Sequence, residues 1–178
     1  MTVAEGDVPS VFRPVKSSKE SQCPALQDAL RILGRKSCSI LRLRQKLEGR
    51  GHHRTEIQTV IRKLERLGLL DDKQFAREHF RIGSEFKLRG KNRLIREANW
   101  LGVPRPVISE VLEEHTRNIE ERDILLRALR KWLRSHGPAE NLRAKGRLYQ
   151  HLLRKGFDSE LIHEAMRISV SGGEGESG

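Results

Sequence analysis

LRQKLEGRGHHRTEIQTVI (43–61), LIREANWLGVPRPVISEVL (94–112) and LYQHLLRKGFDSELIHEAM (148–166) align without a gap. Leu43, Leu94 and Leu148 each lie eight residues before a glycine, namely Gly51, Gly102 or Gly156, and Leu47, Ala98 and Leu152 lie four before it. Ile57, Ile108 and Ile162 lie six after that glycine and are followed by the apolar pairs Val60/Ile61, Val111/Leu112 and Ala165/Met166. Residues four apart share a helix face, so the unit reads as a helix, a glycine turn and a second helix. Gly51 suits the left-handed position that ends a helix. Thr55-Glu-Ile-Gln58 has capping-box spacing, and Ile57, Val60, Ile61, Leu64 and Leu67 form one apolar stripe that Gly68 terminates. Pro104 and Pro106 favour a helix start in the second copy, and Asp158 is the expected N-cap in the third.

The key glycines are 51 and 54 residues apart, a period that marks an array of supersecondary units. Each copy is preceded by another amphipathic segment: Ala25–Leu33, Phe75–Phe86 and Ile124–Leu133. The unit is therefore three helices, and nine are expected in all. β-Branched runs with period-two alternation are missing. The predicted fold is all-α, an elongated and curved array of three tandem three-helix repeats, because so few helices cannot bury their faces without stacking. The expected divisions are a flexible segment 1–22, repeats at 23–70, 71–117 and 118–169, and a flexible tail 170–178.

Of 178 residues, 35 are Lys or Arg and 24 are Asp or Glu, which leaves a net charge of +11. That balance speaks of polyanionic partners and says nothing about fold. It is unevenly spread: residues 31–66 carry +8, 77–105 carry +5 and 127–155 carry +8, with acidic stretches between them. Basic blocks thus recur in register with the helical repeats. No apolar run approaches the roughly 20 residues that cross a bilayer. MTVAEGDVPS lacks the basic and apolar regions of a secretory leader, and two cysteines build no disulfide scaffold, so the cytoplasm is the expected compartment.

Little else in the chain carries chemistry. Cys23 and Cys38 are fifteen apart, and His52-His53 are adjacent where helical metal ligands need a spacing of four. His163-Glu164 begins like H-E-x-x-H, but Arg167 stands where the second histidine belongs. These histidines read as solvated. Gly34-Arg-Lys-Ser37 lacks the first glycine and the preceding strand of a phosphate loop. Asp71-Asp72 reads as the start of a helix, where carboxylates meet the positive end of the dipole. Cys38 reads as a small packing residue or a surface thiol. Phe75, Phe80, Phe86, Trp100, Trp132, Tyr149 and Phe157 are assigned to core packing in preference to base stacking. No nucleophile–base constellation can be drawn, so neither an enzyme nor a cofactor is expected.

The stretch Leu69-Leu-Asp-Asp-Lys-Gln-Phe-Ala76, following Ile61, Leu64 and Leu67-Gly68, resembles the most characteristic part of the RecX family of recombination regulators. So do Arg89-Gly90 with Leu94-Ile-Arg-Glu97, and Tyr149 with Leu152-Leu-Arg-Lys-Gly-Phe157 leading to Ile162. The resemblance covers about residues 25–168 and departs at Ala98-Asn99, where leucine is usual. It implies a non-enzymatic monomer that lies in the groove of the RecA recombinase filament on single-stranded DNA. There it lowers recombinase, ATPase and coprotease activity, with consequences for DNA repair, recombination and the SOS response. Weak binding to DNA itself is consistent with the charge. Candidate contacts are Arg42, Arg44, Lys46 and Arg50 in the first copy and Arg89, Lys91, Arg93 and Arg96 in the second. Arg143, Lys145, Arg147, Arg154 and Lys155 form the third set. The alternative is a helix-turn-helix transcription regulator, although Asp71–Ala76 reads as helix where a winged domain needs strands.

Overall fold

The computed structural model describes residues 23–171. The expected segment 1–22 lies outside them, as does the expected tail apart from residues 170 and 171, which are helical. Among the described residues there are nine helices and no strand. They are α1 (Pro24–Arg35), α2 (Ile40–Glu48), α3 (Arg54–Arg66), α4 (Asp72–Glu85), α5 (Lys91–Trp100), α6 (Arg105–Asn118), α7 (Glu121–His136), α8 (Leu142–Lys155) and α9 (Ser159–Ser171). None is long and apolar enough to cross a membrane.

Local chemistry explains the helix starts. Ser39 Oγ accepts from Arg42 N at the head of α2, and Asp71 accepts from Lys73 N and Gln74 N at the head of α4. Asn141 caps α8, and Asp158 accepts from Glu160 N just before α9. The expected capping box at Thr55 does not form. Instead, His53 precedes α3 and its ring nitrogen accepts from Thr55 N, which places Thr55 inside the first turn. Gly51, Gly102 and Gly156 adopt φ of +85°, +85° and +91°, the left-handed turn that the spacing requires.

Each set of three consecutive helices packs on itself around its own core. Ala25, Ala29, Leu43, Leu47, Ile57 and Leu64 fill the first, and Phe80, Leu94, Ala98, Ile108 and Val111 the second. Leu125, Leu129, Trp132, Leu148, Leu152, Phe157 and Ile162 fill the third. Fully burying one such aliphatic or aromatic side chain stabilises the fold by about 1.5–3 kcal/mol. The departure at Ala98 is compensated within its core. At matching positions the first repeat pairs Ala29 with Leu47, whereas the second pairs Phe80 with Ala98, conserving volume. Two aromatic assignments fail, however: Phe86 is 67% exposed and Trp100 73% exposed. Leu67, at the end of its stripe, is also exposed.

Successive repeats meet at joints built to one plan. The N-cap of the second helix donates to the carbonyl just before the next repeat's turn glycine: Ser39 Oγ to Leu101 O at 2.5 Å, and Gly90 N to Lys155 O at 2.9 Å. The residue after that N-cap gives its N–H to the carboxylate that opens the first helix of the next repeat. Ile40 N reaches Asp72 Oδ1 at 2.9 Å, and Lys91 N reaches Glu121 Oε1 at 2.8 Å. Two residues on, Arg42 donates to Trp100 O at 2.6 Å and Arg93 to Arg154 O at 3.2 Å. The Ile40 and Lys91 N–H groups are orphan donors of a helix N-terminus satisfied by a neighbour, and the arginine guanidinium groups reinforce them. The array ends differently. α8 begins three residues before the matching register, so Lys145 N, equivalent to Ile40 N and Lys91 N, is already bonded to Asn141 O.

Candidate polyanion-binding surface

The joints sort the thirteen candidate cations by partner. Arg42 is spent on structure: besides Trp100 O, its guanidinium lies 4.7 Å from the centre of the Trp100 ring. Arg50 pairs with Asp28 at 2.6 Å, where Arg31 and His52 converge on the same carboxylate at 2.9 Å each. The His52 hydrogen bond, with the charges of Arg50 and Arg31, holds the Asp28 carboxyl below its usual range. His52 is thus a hydrogen-bond partner of Asp28, contrary to its reading as a solvated side chain. Arg93 and Arg89 share Glu97, and Lys91 lies 3.3 Å from Glu121. Burial alone would push the Glu97 carboxyl up, but the Arg93 hydrogen bond and the two guanidinium charges outweigh it and hold it low. Lys155 donates to Lys87 O at 2.7 Å. By contrast, Arg44, Lys46, Arg96, Arg143, Lys145, Arg147 and Arg154 form no side-chain ion pair among the described residues.

Two clefts and a bridge connect these groups. The first cleft, about 660 Å³, runs between the first two repeats and gathers Arg42, Lys46, Lys87 and Arg89 around Trp100 and His79. His79 Nε2 is buried without a hydrogen bond, 3.4 Å from Glu97 Oε2, and burial lowers the imidazole pKa. The second cleft, about 950 Å³, lies on the third repeat and gathers Arg143, Lys145, Arg147 and Arg154. Its floor includes Trp132 stacked on His136, with ring centres 4.4 Å apart. Between the clefts, the second joint brings Lys87, Arg89 and Arg93 to Lys155. Burial, reinforced by the charges of Lys131, Arg93 and Arg89, pulls the Lys155 ammonium below its usual pKa. The second and third candidate sets, separate rungs in the sequence, therefore meet at one place.

A row of cations on α7 was missed by sequence reasoning. Arg127, Arg130, Lys131 and Arg134 are all exposed, and Arg127 is engaged through a hydrogen bond to Glu85 O. The signal was available: positions i, i+3, i+4 and i+7 share one helix face opposite the apolar stripe. That face lies outside the segment preceding each turn glycine, where the repeated basic residues stand. Lys87 was missed as well, since nothing local reveals that its loop enters a joint.

What this basic helical array belongs to is decided by its relatives. The regulatory protein RecX of Pelodictyon phaeoclathratiforme is 34% identical over 146 residues, spanning 82% of this chain and 89% of that protein. The chain belongs to the RecX family. A second RecX regulatory protein, from Prosthecochloris aestuarii, is also 34% identical, over 142 residues, spanning 80% of this chain and 91% of its own length. The family model described as the third three-helix domain of RecX matches residues 120–166, which hold α7, α8 and most of α9. The fold agrees with the crystal structure of RecX from Lactobacillus salivarius, at a TM-score of 0.69 and 20% identity over 80% of this chain and 92% of that one. The all-α repeat architecture read from the sequence is therefore the RecX fold, and the chain is a RecX-type regulator.

Proposed function

We propose that this RecX chain binds the RecA filament on single-stranded DNA and lowers its recombinase, ATPase and coprotease activities, restraining recombination, repair and the SOS response. It acts in the cytoplasm as a monomer, without catalysis of its own. One observation carries the reading: the two clefts and the second joint between them gather basic residues drawn from all three repeats. A nucleoprotein filament offers phosphate and acidic protein surface along its groove, so a ladder of cations on a jointed body complements several subunits together. Lys46, Arg96, Arg143, Lys145 and Arg147, whose charges are unmatched among the described residues, make the direct contacts. Arg44 and Arg154 flank them. Arg42, Arg50, Arg89, Lys91, Arg93 and Lys155 hold the joints and turns that space the ladder.

Binding to bare single-stranded DNA, free recombinase and the assembled filament, compared at two salt concentrations, tests this. The filament should bind most tightly, and added salt should weaken that binding. Equal affinity for all three, or filament binding indifferent to salt, would sink the proposal.

A further inference from the structure

The loop joining α4 to α5 makes a choice that packing alone does not explain. Leu88 adopts a left-handed backbone, φ +50°, and inserts into the core of the third repeat. Such a conformation costs an L-residue roughly 1–2 kcal/mol, offset here by burial. Two residues earlier Phe86, a larger hydrophobe, points outward. The Arg81 guanidinium lies 5.6 Å from its ring centre, and the ring opens onto a groove of about 780 Å³ between this loop and α7. Arg127, Arg130, Lys131 and Arg134 form the opposite wall. The one carboxylate lining it, Glu85, is 3.1 Å from Arg81 and is already paired. The α7 cations stand at i, i+3, i+4 and i+7, two turns of about 5.4 Å each along the helix. The groove thus sets a row of unmatched positive charges beside one exposed aromatic face.

We propose that this groove is a binding track for single-stranded nucleic acid, with phosphates on Arg130, Lys131 and Arg134 and an unpaired base stacked on Phe86. A cation row with a flanking aromatic is what sequence-independent single-strand binding needs, because every base has a π-face. An acidic protein segment would use the cations but has no use for the ring. A duplex would use the cations but has no free base to stack. The assignment deepens the filament reading by giving the chain its own hold on the strand, and it rests on that reading for its place in function.

The test is anisotropy of a short labelled oligothymidine, titrated with the full chain between about 50 and 200 mM salt. Phe86→Ala should weaken binding roughly five- to a hundredfold and leave the salt slope unchanged, since stacking releases no counterions. Arg130→Gln with Arg134→Gln should flatten the slope of log K against log salt by about 1.4, at about 0.7 for each phosphate no longer neutralised. Both variants change surface side chains, and circular dichroism is used to check that they fold. Binding unaffected by Phe86→Ala, a slope unaffected by the arginine pair, or equal affinity for duplex of the same length would overturn the proposal. Inhibition of recombinase ATP hydrolysis is followed in parallel with wild-type chain. If inhibition is absent while the oligothymidine results hold, the filament reading alone fails; if inhibition holds while the variants bind normally, the groove assignment alone fails.

Discussion

At the first joint the serine hydroxyl of Ser39 reaches Leu101 O; at the second the matching residue is Gly90, and its backbone N–H reaches Lys155 O. Replacing the side chain by hydrogen lets the two backbones close on one another. A Cβ on Gly90 would stand 2.5 Å from Gly156 O, and one on Gly156 would stand 2.5 Å from Arg93 N. The turn glycine of the first joint, Gly102, would meet only the Leu41 side chain, at 2.8 Å. Charge differs too. The first joint buries a carboxylate, Asp72, whereas the second crowds Arg89, Arg93 and Lys131 around Lys155. The second joint is thus held by close backbone approach, with its cations bound to Glu97, Glu121 and backbone carbonyls, whereas the first relies on the side chains of Ser39 and Asp72.

The largest effects are expected from alanine at the three turn glycines. All three have positive φ, so each substitution carries the left-handed cost of about 1–2 kcal/mol. Gly51 has open space around its absent Cβ and should lose only that. Gly102→Ala adds a clash with a movable leucine, for a total of about 2–3 kcal/mol. Gly156→Ala meets backbone, which cannot yield, and should cost about 3–5 kcal/mol. Urea unfolding gives the order directly, and three equal losses would mean that the joints do not close in solution.

Leu88→Ala comes next. It withdraws the side chain that the second repeat lends to the third core, and about 2–4 kcal/mol should disappear in thermal or urea unfolding. A loss below about 1 kcal/mol would show that the loop does not plug that core. Smaller again is removal of the joint carboxylates. Asp72→Ala leaves the Ile40 N–H without its acceptor in a buried setting and should cost about 1–3 kcal/mol. Glu121→Ala, in a wetter joint, should cost less, and the reverse order would contradict the contrast in burial. The smallest effect is on pH. Arg77, then Lys73, hold the Glu114 carboxyl down at about 2, clasping α4 to α6 outside both joints. A depressed carboxylate contributes stability that is present above its ordinary pKa near 4.5 and is lost as pH falls toward about 2. Acid titration should therefore loosen the second repeat in that window, and Glu114→Gln should remove that part of the pH dependence.

The helix-turn-helix units were legible in the sequence because aliphatic spacing and turn glycines are local signals. The joints were not. Ser39 and Gly90, or Asp72 and Glu121, occupy matching positions with different chemistry, and only superposed repeats reveal their common role. Phe86 and Trp100 were misread because a hydrophobe on an amphipathic segment looks buried until the chain's path is known, and at Phe86 that path is set by Leu88 and a core in another repeat. Among the basic residues, sequence alone does not separate Arg93, bound to Glu97 and Arg154 O, from Arg96, one turn away and outside any ion pair. Each carboxylate that matches an arginine is chosen by packing.

The central assignment, that the unmatched cations hold the recombinase filament, is tested most directly by ATP hydrolysis of the recombinase on single-stranded DNA. The wild-type chain should inhibit at or below stoichiometry. A Lys46→Glu, Arg96→Glu, Arg143→Glu, Arg147→Glu variant, folded by circular dichroism, should need at least roughly tenfold more protein, since four unmatched positive charges are reversed. Equal inhibition by the two proteins, or none by either, would contradict it.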